Sequence, residues 1–433
     1  FKEMIEIQDK ASCCGCSACV QRCPKHCISM QEDNEGCLYP KVDEEACISC
    51  GLCEKVCPII NQAEKTSPLE VLAVKNTNEE ERMNSSSGGV FLPLAREVIT
   101  NGGVVFGSVY DEQWETHHVF AEKIEDVYPM MGSKYLQSRI ENTYMEAEQF
   151  LKQGREVMFV GSPCQIAGLH SFLQSQEYPN LLAVDLVCHG VPSPGVWRRY
   201  LAETYSWDRL SKKCRFQKAA KDSALLLSLN ATSPIGDIKF RDKFESGWKE
   251  YRFVVRKQSD INSDKNIVLS SEIHYTNPYM QGFLSNIYLR PSCYACKCKS
   301  GVSHSDLTIA DFWGIHEISQ EFDDDKGVGL VLVNTPKGEE CFSRLSMDIL
   351  PSTLEVARHY NGGFNEHTKA HPKREKFFKL IGNGRSIKDA VEICLRMSFK
   401  QRVICTVKKT IMKSAKCFLS DSKINALKKM VNR

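Results

Sequence analysis

The sequence predicts an α+β protein of several domains, and three patterns in it support this prediction. Near the N-terminus the same cysteine phrase occurs twice, beginning at Cys13 and at Cys47. From about residue 68, predicted strands and helices alternate, which is typical of an α/β layer. Between Lys212 and Ser270 the apolar residues fall in short alternating runs that indicate antiparallel hairpins. A length of 433 residues suits two or three domains.

The two cysteine phrases both read C-x-x-C-x-x-C-x-x-x-C-P and end at Pro24 and Pro58. Bacterial ferredoxins with two [4Fe-4S] clusters use this spacing, and the fourth cysteine of each phrase binds the other cluster. The predicted ligands of one cluster are Cys13, Cys16, Cys19 and Cys57. Those of the other cluster are Cys47, Cys50, Cys53 and Cys23. Residues 1–66 are therefore predicted to form a ferredoxin domain that stores and passes single electrons.

Other uses of these cysteines fit the spacing less well. A zinc site pairs C-x-x-C units around one ion with four ligands, whereas each phrase already supplies four cysteines and a trailing proline. Disulfide frameworks are typical of short secreted chains, whereas this chain has 433 residues. Cys14, Cys27 and Cys37 fall outside both phrases, and we expect them to be packing residues.

The composition excludes some classes of function. The sequence is 42% hydrophobic and 25% charged with a net charge of +2, as in ordinary globular proteins. It has no stretch that is apolar enough to span a bilayer. The 21 cysteines, many of them candidate metal ligands, favour the reducing cytoplasm. No recognisable nucleic-acid-binding module is present, so we expect no nucleic acid partner.

Charge is distributed unevenly along the chain. Residues 1–66 carry 11 acidic and 7 basic side chains, whereas residues 386–433 carry 3 acidic and 12 basic ones. The lysines of the C-terminal segment recur between apolar positions, which predicts a basic helical tail. This tail could contact an anionic membrane surface or an acidic partner. Its charges could equally form a solvated helix face, which we favour.

Two rounds of helix and strand are predicted in the body of the chain. The first has a strand at Val71–Val74, a helix at Gly88–Asn101 and a strand at Gly103–Tyr110. The second has a helix at Ile140–Gln153, a strand at Glu156–Val160, a helix at Gln165–Leu173 and a strand at Leu181–Val187. The helix at Gly88–Asn101 places its apolar residues near one face, whereas the helix at Ile140–Gln153 is polar. The alternation predicts a largely parallel sheet.

A segment of small residues, Asn84 to Gly89, immediately precedes the first of these helices. Free backbone N–H groups at a helix start attract anions, and small side chains let a phosphate approach closely. A serine N-cap in a glycine turn also explains the segment, and from these residues alone we favour the cap. The segment lacks the G-x-G-x-x-G pattern of a Rossmann dinucleotide site.

A second set of cysteines lies in the body. Cys164 and Cys188 each follow a predicted strand, and Cys293, Cys296 and Cys298 form a C-x-x-C-x-C group. The ends of parallel strands meet at one edge of a sheet, where sites are commonly built. The first two cysteines could join Cys293 and Cys296 around a third cluster, or could be buried core thiols. The isolated cysteines are predicted to be structural: Cys214, Cys341, Cys394, Cys405 and Cys417.

Six segments of the sequence together resemble a known family. They are Ser86–Val90, Gly132–Ser138, Gly161–Gln165, Asp185–Pro194, Asn277–Cys296 and Ala310–Gly314. In this order they are similar to motifs of the beta-subunit family of coenzyme F-420 hydrogenases and dehydrogenases. The resemblance covers about residues 68–320 and is more specific for the family than for a substrate.

The resemblance implies a flavoprotein that carries iron–sulfur clusters. Such proteins bind FAD and pass electrons between clusters and a two-electron carrier, either a deazaflavin coenzyme or another small organic substrate. The FAD-binding candidates that the motifs imply are Ser86, Ser87, Gly88, Gly89, Lys134, Tyr135 and Gln137. The resemblance also favours a third [4Fe-4S] cluster, whose ligands would be Cys164, Cys188, Cys293 and Cys296.

With the resemblance included, the predicted fold is a ferredoxin-like domain, an α/β flavoprotein domain with an antiparallel insertion, and a helical C-terminal tail. The predicted ferredoxin domain is 1–66, and the two parts of the beta-subunit-like domain are 68–150 and 151–320. An α/β extension is predicted at 321–385 and the basic tail at 386–433.

The predicted function is that of an FAD- and iron–sulfur-dependent oxidoreductase. It would exchange electrons with a redox partner protein or small electron carrier and with a small-molecule substrate. Two alternatives stay open, an electron-transfer subunit without its own substrate site and a cluster-binding assembly module. His189 or Asp311 could handle protons, but no catalytic residue is assigned.

Overall fold

A computed structural model describes residues 4–206, 235–257 and 267–396 of the chain. Within these ranges the fold is a mixed α/β arrangement with a cysteine-rich N-terminal region, an eight-stranded sheet and a three-stranded antiparallel sheet. None of the helices in these ranges is both long and apolar enough to cross a membrane.

The N-terminal region contains one hairpin and two short helices. They are β1 (Ile28–Glu32), β2 (Leu38–Val42), α1 (Ala18–Gln21) and α2 (Leu52–Lys55). The two cysteine phrases fold alike because each helix follows a residue in the left-handed region, Ser17 with φ 62° and Gly51 with φ 68°. Two residues earlier, Gly15 and Ser49 also have positive φ, 73° and 52°. The repeated sequence therefore gives a repeated loop-and-helix structure.

The remaining strands form two sheets. In chain order they are β3 (Glu70–Asn76), β4 (Val104–Tyr110), β5 (Thr116–Ala121), β6 (Val157–Gly161), β7 (Leu181–Leu186), β8 (Ile235–Asp242), β9 (Arg252–Lys257), β10 (Val268–Ile273), β11 (Leu307–Asp311), β12 (Gly329–Val333) and β13 (Met347–Pro351). The large sheet has the order β13-β3-β12-β11-β7-β6-β4-β5, and the small sheet has the order β10-β9-β8. The small sheet confirms antiparallel pairing in the described part of residues 212–270.

The large sheet is mixed, so the prediction of a largely parallel sheet is wrong. Only its centre is parallel, where β4, β6, β7 and β11 lie side by side. β3 does not join these strands but pairs antiparallel with β12 and β13, which lie more than two hundred residues later in the chain. No local pattern in the sequence specifies such a distant partner. The predicted extension at 321–385 thus contributes two strands to the same large sheet.

The other helices in the described ranges connect and cover the strands. They are α3 (Glu79–Asn84), α4 (Phe91–Thr100), α5 (Ile124–Val127), α6 (Thr143–Lys152), α7 (Pro163–Phe172), α8 (Pro194–Tyr205), α9 (Pro278–Leu284), α10 (Ile315–Ile318), α11 (Pro336–Ser343), α12 (Leu354–Tyr360), α13 (Arg374–Gly382) and α14 (Ile387–Leu395). The helices predicted before β4, β6 and β7 are present as α4, α6 and α7. Of the predicted basic tail, residues 397–433 lie outside the described residues.

The two faces of the large sheet bury different partners. On β4, Val104 and Phe106 belong to the apolar cluster that includes the cysteine-rich region, whereas Val105 belongs to the cluster beneath α4. This is the alternation expected along a strand with both faces covered. On the first face, α7 lies close to the N-terminal region, because a Cβ at Gly168 would come within 2.8 Å of the Cys16 Cβ. The cysteine-rich region and the sheet therefore share one core.

Candidate iron–sulfur and flavin sites

The structure brings the predicted ligands of the second phrase together with the fourth cysteine of the first. Cys47, Cys50 and Cys53 line one cavity with Cys23, and we name this space the outer cavity. Cys50 is exposed at its edge, beside the exposed side chain of Ile48. The outer cavity thus approaches the protein surface.

A second space, the middle cavity, brings together the first three cysteines of the first phrase and the fourth cysteine of the second phrase. Cys13, Cys16 and Cys19 line it together with Cys57 of the other phrase. All four of these cysteines are buried. The crossed grouping that the spacing predicts is therefore present in the geometry, and the ligand role of these residues stays a prediction.

Both spaces suit a cluster better than a single ion. Among the described residues, no three histidine, cysteine or acidic side chains converge closely enough to hold one metal ion. The cysteines instead surround open spaces between them. Burial raises the pKa of the Cys19 thiol, and nearby Cys13 and Cys57 raise it further. A cationic centre between these sulfur atoms, as the iron atoms of a cubane provide, would offset the cost of ionising them.

Backbone N–H groups point at sulfur atoms in this region. The Ile5 N–H donates to Cys53 Sγ at 3.2 Å, and the Ser49 N–H donates to Cys47 Sγ at 3.4 Å. The left-handed residues of each phrase also turn successive N–H groups into a concave loop, a conformation that binds anions and iron–sulfur groups. The loops therefore provide hydrogen bonds as well as thiolates.

A third space, the inner cavity, lies in the body of the protein. The four predicted ligands Cys164, Cys188, Cys293 and Cys296 all line it. Burial raises the pKa of the Cys188 thiol to about 12, and the neighbouring cysteines raise it too. Its four thiols fit a third cluster.

The fold explains why distant cysteines meet at the inner cavity. β6 and β7 are parallel neighbours, so the residues that follow them leave the sheet at the same edge. Cys164 lies in the first turn of α7, which Ser162 and Gln165 begin with reciprocal capping bonds. The Cys293 thiol accepts the Val191 N–H at 3.3 Å, which ties the C-x-x-C-x-C group to the segment after β7.

Three cysteines that the sequence did not identify as ligands also line the cavities. Cys27 lies in the outer cavity with its Sγ 3.4 Å from that of Cys23. Cys298 lines the inner cavity, and Cys14 lines both the middle and inner cavities. Each lies within four residues of a predicted ligand in the sequence, and this proximity could have identified it as a cavity residue. Cys14, Cys27 and Cys37 were all expected to be packing residues, and of these Cys37 is buried beside Tyr39 in a small apolar cluster.

The three cavities follow one another. Ile5 belongs to the wall of the middle cavity and binds Cys53 of the outer cavity through its N–H group. Cys14 and Ile59 line both the middle and the inner cavity. The arrangement leads from the exposed Cys50 into the body of the molecule.

The two segments that carry FAD candidates are in contact. The Ser133 N–H donates to Ser86 Oγ at 2.7 Å. Ser87 Oγ donates to the Val328 carbonyl at 2.8 Å. Gly88 is packed so closely that a Cβ there would lie 2.3 Å from both the Val74 carbonyl oxygen and the Gly329 nitrogen. This loop is therefore held against β3 and β12, and the small residues have a packing reason as well as any phosphate-binding one.

The other FAD candidates lie in two places. The Lys134 ammonium donates to the Met130 and Met131 carbonyls at 3.2 Å and 3.1 Å, and burial lowers its pKa to about 7. The Tyr135 ring stacks on Phe283 with centroids 4.8 Å apart. Gln137 lies instead beside the clusters' cavities, where its Nε2 donates to the Cys14 carbonyl.

Two basic residues at the end of β8 were missed by the sequence analysis. Arg241 lies with its side chain only 2% exposed and paired with Asp311, while its Nε and Nη2 groups lack any hydrogen-bond partner. Its guanidinium lies over the Tyr251 ring at 4.3 Å. Lys243 Nζ donates to the Ser87 carbonyl at 3.1 Å, which joins the end of β8 to the FAD candidate loop. Both residues lie in the stretch where short alternating runs predict antiparallel hairpins, but that pattern does not single them out.

The unpartnered N–H groups of Arg241 are the best structural test for an anionic cofactor. A buried guanidinium donor without an acceptor costs free energy unless a ligand supplies the acceptor. The neighbouring rings offer flat surfaces: Trp248 and Trp313 are stacked with centroids 4.7 Å apart, and Arg241 lies 5.2 Å from the Trp313 centroid. These residues fit a phosphate or a polar flavin edge.

The two candidate proton carriers are placed differently. His189 lines the inner cavity, where its Nε2 lies 2.6 Å from Asn286 Oδ1, and burial lowers the pKa of its imidazole. Asp311 pairs with Arg241 and accepts the Trp248 Nε1–H at 2.8 Å. Neither geometry identifies a catalytic acid or base.

Two parts of the chain match known protein families. Residues 12–60 match the 4Fe-4S dicluster domain, and residues 154–353 match the C terminus of the coenzyme F420 hydrogenase/dehydrogenase beta subunit. The second match includes the four predicted ligands of the inner cavity, whereas the FAD candidates all precede it. No curated protein sequence matches the chain.

One solved structure that resembles the chain is that of the F420-reducing [NiFe] hydrogenase complex from Methanosarcina barkeri. The alignment has 15% identity and a TM-score of 0.43, and it covers 80% of this chain and 94% of that one. Similarity at this level identifies neither fold nor function. The family matches confirm the resemblance found in the sequence: residues 12–60 are similar to the 4Fe-4S dicluster domain, and residues 154–353 are similar to the C terminus of the coenzyme F420 hydrogenase/dehydrogenase beta subunit.

Proposed function

We propose that this chain is an iron–sulfur flavoprotein oxidoreductase that passes electrons between three [4Fe-4S] clusters and FAD, and from FAD to a small two-electron acceptor or from a donor. The observation that carries the proposal is the succession of three cysteine-lined cavities from the surface to the body. Each contains the four cysteines that the sequence assigns to one cluster. A reducing compartment such as the cytoplasm suits so many thiolate ligands.

Aromatic side chains connect the inner cavity with the FAD candidates. His189 is in the cavity wall and contacts the Phe283 ring with centroids 5.2 Å apart. Phe283 in turn stacks on Tyr135, one of the FAD candidates. A cluster in the inner cavity and a flavin beside Tyr135 would therefore be separated by little more than these rings. This closeness favours electron transfer between them.

Bound FAD would supply the exchange between one-electron and two-electron chemistry, which no side chain of this protein performs. Arg241 would hold an anionic or carbonyl oxygen of the cofactor through its unpartnered Nε and Nη2 groups. Ser86 and Lys134 would position the cofactor from the loops that lie on either side of the Ser86–Ser133 hydrogen bond. The ring of Trp313 would shield it from water. The acceptor itself, whether a deazaflavin or another organic molecule, has no assigned binding residue.

A redox partner would exchange electrons at the outer cavity. Cys50 and Ile48 are exposed there, whereas the cysteines of the middle cavity are buried. The family described by the second match is that of a beta subunit, which supports a partner subunit or carrier. The chain could instead be an electron-transfer subunit without a substrate site. In that alternative the redox partner would also exchange electrons at the outer cavity.

The test is the cofactor content and electron transfer of the whole chain purified without oxygen. We expect flavin absorbance from about one FAD per chain, and oxidation of a reduced ferredoxin or dye coupled to reduction of an acceptor from a screen. Arg241→Gln should lower FAD affinity roughly 10- to 150-fold, since a charged hydrogen bond contributes about 1.5–3 kcal/mol. Arg256→Gln is the matched control, because that arginine on β9 already pairs with Asp237 and Asp242.

Two outcomes would contradict the flavin part of the proposal. The first is a chain that contains iron and sulfide but binds no flavin, which would favour the electron-transfer subunit. The second is an equal loss of FAD from the two arginine variants, which would mean that Arg241 makes no specific contact with the cofactor.

A further inference from the structure

We propose that Arg290 raises the reduction potential of the cluster in the middle cavity. The inference rests on the proposed function only in requiring that the middle cavity holds a cluster. Arg290 precedes the C-x-x-C-x-C group in sequence, but its guanidinium reaches across to the first cysteine phrase. It acts on Cys13, a predicted ligand, and is therefore a positioning residue rather than a catalytic one.

The guanidinium is held by several hydrogen bonds around Cys13. Nε donates to the Cys13 carbonyl at 2.9 Å, and Nη2 lies 3.6 Å from Cys13 Sγ. Nη2 also donates to the Leu38 carbonyl at 2.9 Å, and Nη1 donates to Gln137 Oε1 at 3.0 Å. The Tyr39 ring lies against the guanidinium at 4.3 Å. The planar group is thus fixed in one orientation with an N–H directed at sulfur.

The charge of Arg290 is buried and has no carboxylate among these partners. The residue is 0% exposed, and its contacts are carbonyl oxygens, an aromatic ring and a thiol. A buried cation is costly unless a counter-charge compensates it. An anionic cluster bound through Cys13 would provide the missing counter-charge.

This arrangement affects the two redox states of the cluster unequally. Each electron that the cluster accepts adds one negative charge to it, while the arginine stays protonated at every relevant pH. A fixed cation and an N–H···S hydrogen bond therefore stabilise the reduced cluster more than the oxidised one. Hydrogen bonds to sulfur and net charge are among the features that set cluster potentials. The potential of the middle cluster should be higher with Arg290 than without it.

Arg290 also connects the middle and inner cavities. Its side chain lines the inner cavity, and Gln137 joins it to the Cys14 carbonyl through a second bond of 3.0 Å. The outer cavity has no comparable buried cation among its lining residues, since Lys25 is exposed. Of the predicted ligands, the hydrogen bonds of the guanidinium reach only Cys13, so its loss should affect the middle cluster most.

Arg374 provides a matched control at the same interface. It joins the body to the N-terminal region by donating from Nη1 to Glu35 Oε1 at 2.8 Å, and its guanidinium also lies over an aromatic ring, that of Phe378, at 4.8 Å. It differs from Arg290 in having a carboxylate partner and no contact with a predicted ligand. Replacing Arg374 weakens the interface without removing a charge from the cluster.

The experiment measures cluster potentials by redox titration followed by electron paramagnetic resonance in the full chain, with iron content determined on the same samples. In Arg290→Met the reduction equilibrium of one cluster should shift about tenfold towards the oxidised form, which is about 59 mV for one electron. Arg290→Lys keeps the charge but loses the planar hydrogen-bonding group, so we expect a two- to threefold shift in the same direction. Arg374→Met should leave all potentials unchanged.

The outcomes separate this inference from the proposed function. Absence of iron from the unmutated chain overturns the proposed function. Normal iron content with no shift in either Arg290 variant, or with an equal shift in Arg374→Met, overturns the role of Arg290 alone. If the methionine variant fails to assemble clusters, the lysine variant decides, because an unchanged potential there contradicts the proposal and a lowered one supports it.

Discussion

Each fourth cysteine of the N-terminal region lies with the three cysteines of the other phrase. Cys23 lines the outer cavity and Cys57 lines the middle one. The short helices α1 and α2 lie between the two groups, because each contains the third cysteine of its phrase and leads the chain on to the fourth. Single substitutions can therefore distinguish the two clusters.

Cys23→Ser should remove the outer cluster and leave the middle one, although Cys23 belongs to the phrase that supplies the middle cluster. We expect a loss of about four irons and of one paramagnetic resonance signal. Cys57→Ser should remove the other signal. Cys341→Ser is the control, because that cysteine lies on α11 and lines none of the three cavities. Loss of the same signal in both cluster variants would refute the crossed arrangement.

Some residues could be identified from the sequence and others could not. The twelve cysteines were predicted because their spacing reflects a geometric need that few other sites share. Arg290 could not be identified, since nothing in the sequence indicates that its guanidinium reaches Cys13. Arg241 was missed for the same reason, because its partners Asp311 and Tyr251 come from separate strands or loops.

The loop between α3 and α4 is the element with two competing explanations. Its serines and glycines would let a phosphate approach, yet Gly88 is also needed where the loop passes β3 and β12. The Asn76 N–H donates to the Gly88 carbonyl at 2.8 Å, which continues the pairing of β3 into this loop. Packing and ligand binding predict different results for the same substitution.

Gly88→Ala should destabilise the fold, because its new Cβ would contact backbone atoms that cannot move without separating strands. We expect urea unfolding to show a loss of about 1–3 kcal/mol. Gly382→Ala is the control, since that glycine ends α13 and no other atom lies within 4 Å of the position that its new methyl group would take. Unchanged stability combined with weaker FAD binding would instead assign the glycine to the cofactor.

At the scale of elements, the sequence predicts local structure better than pairing. Helices α4, α6 and α7 and strands β4, β6 and β7 lie within a few residues of their predicted positions, because apolar periodicity specifies them locally. The partners of β3 could not be predicted, since β12 and β13 lie more than two hundred residues further along the chain and no local pattern identifies them. The mixed sheet results from these distant pairings.

At the scale of the molecule, the cysteine-rich region is packed into the body rather than joined to it by a linker alone. Cys16 and Cys19 share an apolar cluster with Tyr144 and Phe159 of the body. Gln21 Oε1 accepts the Tyr144 N–H at 3.0 Å, and Arg22 pairs with Glu148. This docking places the middle cavity beside the inner one. Neither cysteine phrase indicates this docking of the N-terminal region against the body.

We propose that three clusters lie in succession within one chain. The iron content of the whole chain after anaerobic purification tests this arrangement most directly. Three clusters of four irons predict about twelve irons per chain, with an equal amount of sulfide. A value of about eight would remove the cluster from the inner cavity and interrupt the path to FAD. A folded chain that retains no iron would rule out all three clusters.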